Sequence, residues 1–148
     1  MNIDNLLKDI NTRLTGNAAS APVWREQFTP TSPPRAKYLL WDFVTEYFGE
    51  CSDSLTSTVE GSLDVTCYSV NDDTRSELVA SVLNLWLPVD VETGRRTGIG
   101  PIQLTHCFLN NVRLTGSTEL FPEKGSHPAP ETPGTLLTFH IKAQITEE

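Results

Sequence analysis

Between Thr58 and Cys67 the side chains alternate with a period of two. Val59, Leu63, Val65 and Cys67 fall on one parity, and Thr58, Glu60, Ser62, Asp64 and Thr66 on the other. A helix cannot keep such a pattern on one side, so the run reads as a half-buried antiparallel strand with one wet face. The segment before it, Tyr38 to Phe48, is dense in aromatic and β-branched residues on both parities: Leu39, Trp41 and Phe43 on one, Tyr38, Leu40 and Val44 on the other. That composition predicts a strand largely covered on both faces. The polar break from Gly49 to Ser54 makes the two a hairpin.

Around this hairpin the pattern changes to the helical period. Ile3, Leu6, Leu7, Ile10 and Leu14 are spaced by three and four, with Asp4, Lys8, Asp9 and Arg13 expected to face water and Gly16 ending the helix. A second helix follows the hairpin. Thr74 and Glu77 fit a capping box, Asp72 and Asp73 compete as N-caps, Leu78, Val79, Val82, Leu83 and Trp86 form the apolar stripe, and Pro88 marks the end. Val23 to Phe28 reads as a short strand inside a Pro- and Ser-rich connector. Ile102 to Leu114 predicts a further strand, broken near Asn110 and Asn111. Leu137 to Ile145 predicts a last one with Leu137, Phe139, Ile141, Ala143 and Ile145 inward. Two long polar stretches, 88–101 and 116–134, are expected to be loops, longer than a compact domain needs for simple connections.

Strands in consecutive hairpins with only two helices predict an α+β fold, a single domain over residues 1–148. Its sheet is mostly antiparallel or mixed, and the helices pack on one face. With 148 residues, 38% of them hydrophobic and 20% charged, the chain is able to bury a modest core. The formal net charge of −8 disfavours a nucleic-acid grip, which needs clustered Lys and Arg; the densest basic pair is Arg95 and Arg96. Cys51, Cys67 and Cys107 form neither an even set nor a C-x-x-C pair, so a reducing compartment is the simplest setting. No apolar run nears the ~18 residues that span a bilayer, so no membrane partner is expected.

Reactive constellations are weak. His106 beside Cys107, with Cys67 on another strand, lacks a local nucleophile signature and an orienting third group, and a core cysteine beside a strand histidine is the simpler reading. His127 and His140 are isolated. Asp42, Glu46, Glu60 and Asp64 read as a solvated sheet face rather than a cation site. The Gly94 to Gly100 stretch has neither a Walker lysine nor G-x-G-x-x-G spacing. No catalytic residue, metal or cofactor is therefore expected. If both parities of the aromatic strand are apolar, the second is covered either by the helices or by another subunit.

Several features together resemble the tail terminator, or tail completion, proteins of long-tailed bacteriophages. They are the N-terminal amphipathic helix, Trp24 followed by Phe28, and Pro33-Pro34-Arg35-Ala36-Lys37-Tyr38-Leu39-Leu40-Trp41. To these add Asp64-Val65-Thr66-Cys67-Tyr68 and the helix opening Asp72-Asp73-Thr74-Arg75-Ser76-Glu77-Leu78-Val79. The resemblance covers nearly the whole chain as a pattern of elements. It implies a non-enzymatic virion protein that forms a homo-oligomeric, hexameric ring on the head-proximal end of the tail tube, stops tube growth and offers a head-attachment surface. Its implied partners are the tail tube protein and a head-completion or connector protein. Genomic DNA is expected to pass through the ring without sequence-specific binding. The expected contact residues are Arg95 and Arg96 for an acidic neighbour, and Leu120 and Phe121 as an apolar anchor.

Three rivals remain: a head-completion or connector protein at the head–tail junction, a small module that binds a peptide along a strand edge, and a small hydrolase or metal enzyme using Cys67, His106 or the acidic strand face.

Overall fold

The computed structural model describes residues 3–50, 56–96, 102–121 and 132–146. Helix α1 spans Asp4–Thr15 and β1 spans Val23–Arg25, followed by a 3-10 turn at Glu26–Phe28. Strand β2 is Tyr38–Glu50, β3 is Thr56–Tyr68, α2 is Asp72–Trp86, β4 is Ile102–Gln103, β5 is Cys107–Leu120 and β6 is Gly134–Thr146. Among the described residues these strands form one sheet in the order β1-β2-β3-β6-β5-β4. All neighbours are antiparallel except β1, which runs parallel to β2. This is the expected single-domain α+β fold.

Both helices lie on one face. Leu6, Ile10 and Leu14 of α1 and Leu78, Val82 and Trp86 of α2 share a buried cluster with Leu39, Trp41, Phe43, Val59, Leu63, Val65, Leu137, Phe139 and Ile141. The 13-residue ladder between β3 and β6 is its floor, and burying each large side chain contributes about 1.5–3 kcal/mol. Two arginines hold the C-terminal end of α2. Arg13 donates from Nε and Nη2 to the Leu85 carbonyl at 2.9 and 2.7 Å and lies over the Trp86 ring at 5.5 Å. Arg96 donates to the Leu87 carbonyl at 3.1 Å. Cations suit the negative end of a helix dipole.

Local details depart from expectation. The N-cap of α2 is Asn71, whose Oδ1 accepts from the backbone N–H of Asp73 and Thr74 at 2.9 and 3.1 Å. Asn71 holds the extended backbone that a cap needs (φ −99°, ψ 124°), whereas Asp72, Asp73 and Thr74 already lie within the helix. Asp9 does not face water: it is 5% exposed, and its Oδ2 accepts the His106 backbone N–H at 2.7 Å. A carboxylate here answers a turn amide that no strand partner would otherwise satisfy. Of the expected 116–134 loop, residues 116–120 belong to β5, which pairs with β6 down to Gly134, and 122–131 lie outside the described residues. Exposed polar residues such as Ser117 and Thr118 disguised that strand end. Of the 88–101 loop, residues 88–96 fold back through a Val89–Arg96 bridge with Gly94 at φ +68°, and 97–101 lie outside the described residues.

Candidate interaction surface

Because α1 and α2 share one face, the opposite face of β2, β3, β6 and β5 carries no helix among the described residues. At one end Tyr38 and Tyr68 stack, with centroids 4.7 Å apart and planes at 15°, and Trp24 leans on Tyr38 at 6.2 Å. Burial, then the neighbouring Tyr68, pushes the Tyr38 phenol up to about 12, against an opposing hydrogen bond with Thr132. Next to this cluster lies a cavity of about 240 Å³, lined among others by Leu40, Asp42, Asp64, Leu120 and Leu136. Asp42 and Asp64 stand directly opposite each other across β2 and β3, an arrangement that costs stability unless charge is compensated. Arg25 compensates Asp42 at 3.2 Å.

Toward the other end the surface turns mixed. Glu60 meets Lys142 at 3.7 Å, and Ser62 donates to Glu46 at 2.6 Å. Val44 and Tyr47 remain 55% exposed each. Thus β2 is covered on both faces only at its start: Leu39, Trp41 and Phe43 are buried on the helix side, and on the other parity Tyr38 is buried and Leu40 half-buried, but Val44 and Tyr47 lie open.

The sheet also ends in two half-open edges. Strand β1 pairs only with Leu39–Trp41 of β2, and β4 pairs only with Phe108 and Leu109 of β5. Among the described residues no strand pairs with the outer edge of β2 from Asp42 to Glu50, or of β5 from Asn111 to Leu120. Both stretches carry a bulge, at Thr45–Tyr47 and at Leu114–Gly116.

The sequence-derived contact residues scatter over this molecule. Arg95 is exposed, and its carbonyl accepts from the Asp90 N–H at 2.9 Å. Arg96 is occupied, donating to Asn84 Oδ1 at 2.6 Å as well as to the Leu87 carbonyl. Leu120 ends β5 rather than sitting in a loop, and Phe121 just beyond it is 65% exposed. Arg96 sits at the C-terminal end of α2, whereas β5 near Leu120 approaches its N-terminal turn, where Arg75 Nε lies 3.9 Å from Glu119. The two pairs therefore do not converge. Sequence reasoning placed Val44 on the apolar second parity of β2 and left helices or another subunit to cover it, but it missed which stretches of strand edge stay open.

The reactive candidates are also separated. Cys67 pairs with Thr135 and Cys107 with Ile145, toward opposite ends of β6. Both thiols are pushed up to about 12, Cys67 by burial and then Glu119, Cys107 by burial and then the charge of Asp9 and its hydrogen bond with that carboxylate. Neither is a thiolate near neutral pH. His106 Nδ1 lies 3.7 Å from Asp9. Among the described residues no three His, Cys, Asp or Glu side chains group to hold a metal ion, and no helix is long and apolar enough to cross a membrane. Cys51 and His127 lie outside the described residues.

Compared with known proteins, the chain matches no family model and no curated protein. Among solved structures, one similar chain is 19% identical and aligns over 95% of this chain and 96% of its own with a TM-score of 0.48. A likeness at that level assigns neither role nor residues.

Proposed function

We propose that this chain is a structural subunit that closes into a ring on the head-proximal end of a phage tail tube, ends tube growth and presents the head-attachment surface. One observation supports the reading beyond the sequence resemblance: among the described residues the helices coat a single face, leaving an aromatic and acidic sheet face and two long strand edges open. Unpaired strand edges invite association, and here the bulges and the short strands β1 and β4 blunt each edge only in part. A subunit built to assemble keeps the rest open. In a ring the bulky helices sit outside and the helix-free face lines the channel. On that face Asp42, Glu46, Glu60 and Asp64 outnumber Arg25, Arg113 and Lys142, and an acidic wall does not trap a passing polyanion.

The partners follow from this station: further copies of the chain in a closed ring, hexameric as the resemblance implies, the last ring of the tube, and a head-side connector. The open edges equally suit a module that recruits an extended peptide, and such a module stays monomeric and leaves tails unchanged when removed. The test is to assemble phage particles without this chain and measure the tubes by electron microscopy. The proposal expects overlong, headless tubes. Tubes of normal length with heads attached refute it, and normal-length tubes without heads move the chain to the head side of the junction.

A further inference from the structure

We propose that neighbouring copies join by antiparallel pairing of the open half of β2 in one copy with the open half of β5 in the next. This rests on the ring-forming role proposed above. It goes further by naming the contact.

The polarity is set by the topology. Along β2-β3-β6-β5 each strand reverses, so β2 and β5 run in opposite directions, and a second copy placed beside the first in the same orientation meets it antiparallel. The open stretches also match in length, Asp42–Glu50 against Asn111–Leu120. Short β1 and β4 occupy the remaining parts of the two edges and act as stops. With Asp42 of one copy opposite Leu120 of the other, Val44 falls opposite Thr118 and the two bulges face each other. All four of these residues point to the helix-free side by their pairing parity, so the two sheets keep one common wet face.

The stagger has the size that closure needs. Within one subunit Leu120 is level with Tyr38, through Gly134 and Tyr68. Docking it at Asp42 therefore shifts each copy by about four residues, roughly 13 Å at ~3.3 Å per residue, across four long strands about 19 Å wide. The resulting strand tilt is about 35°, within the range of closed sheets, roughly 35–45°. The contact is head-to-tail, and once the ring closes no open edge remains on either strand. A second copy fits these edges because each one's free stretch, direction and stops are complementary to the other's. Arg113 of β5, which has no polar partner among the described residues, then meets a β2 edge whose charged residues are all acidic.

Cysteine cross-linking tests the pairing. In a Cys51→Ser background, Val44→Cys and Thr118→Cys are combined in one chain and oxidised at high protein concentration and in assembled tails. Directly opposed antiparallel residues lie about 4.5–5.5 Å apart at Cα, within disulfide reach. The expected result is a ladder of covalent multimers reduced by dithiothreitol, with neither single variant cross-linking. A dimer from Val44→Cys alone means β2 pairs with β2 and overturns the proposal. Rings visible by electron microscopy without a ladder overturn the contact while leaving the ring function standing. Neither rings nor ladder overturns both. Hydrogen exchange on the unsubstituted chain checks folding artefacts: the alternate amides of Asp42–Glu50 and Asn111–Leu120 that point away from β3 and β6 must slow at least tenfold on assembly, and unchanged exchange at them refutes the pairing.

Discussion

Gly61 lies where β3 crosses the bulge of β2, opposite Thr45 and beside the Thr45–Tyr47 register shift. A Cβ at this position would sit 2.3 Å from the Val44 carbonyl oxygen and 2.6 Å from Cζ of Phe43, about 1 Å inside ordinary contact with a backbone atom that no rotamer change can move. Relief requires displacing β2 from β3 and turning the buried Phe43 ring. Overpacking alone costs about 1–3 kcal/mol, and loosening two ladder hydrogen bonds adds about 1 kcal/mol each. Gly61→Ala is therefore expected to lose about 3–5 kcal/mol, a large part of the 5–15 kcal/mol of a typical domain, and to lower Tm by roughly 10 °C at this chain length. Urea denaturation followed by circular dichroism measures it. Gly116→Ala is the control, since its Cβ would meet nothing within 4 Å, and it is expected to change stability by less than about 0.5 kcal/mol. Equal effects from the two substitutions would refute the claim that close approach at the bulge fixes Gly61.

Asp9→Ala removes the buried carboxylate that accepts the part-buried His106 N–H and is expected to cost about 1 kcal/mol, read by the same denaturation experiment. Arg13→Ala removes both bonds to the Leu85 carbonyl and the contact with Trp86, with a loss of about 1.5–3 kcal/mol in thermal unfolding. Alkali is expected to destabilise the fold. Cys67 and Cys107 start from 9.0 and Tyr38 from 10.0, and all are pushed up to about 12 in the folded chain. Their contribution is thus full below pH ~9 and lost progressively as pH rises toward 12; a Tm constant from pH 8 to 11 would contradict this. The same burial predicts that a disulfide reagent modifies Cys67 and Cys107 only after unfolding, as peptide mapping would show. Leu120→Ala with Phe121→Ala is expected to weaken docking to the tube by at least tenfold in a co-sedimentation assay with little change in Tm.

Much of the fold was legible because periodicity reports burial directly. The alternation at Val59, Leu63, Val65 and Cys67 and the helical stripe of Leu6, Ile10 and Leu14 map onto buried positions. Strand ends were less legible where the partner is exposed: Ser117, Thr118 and Glu119 look like loop residues, yet pair with Leu137, Leu136 and Thr135. Asp9 was misread because its partner, the His106 amide, is 97 residues away, a distance no local pattern encodes. The surface suffered most. Whether Val44 and Tyr47 are covered depends on which side the helices take, and whether β2 and β5 have open edges depends on how short β1 and β4 are. Arg95 and Arg96 look alike in sequence, but only tertiary placement ties Arg96 to Asn84 and Leu87.

Cryo-electron microscopy of the head–tail junction in intact particles tests the proposed role most directly. The account predicts a closed ring of this chain on the last tube layer, with α1 and α2 outward, the Asp42–Asp64 face toward the channel, and β2 of each copy against β5 of the next. Particles that lack the chain, or that carry it away from the junction, contradict it.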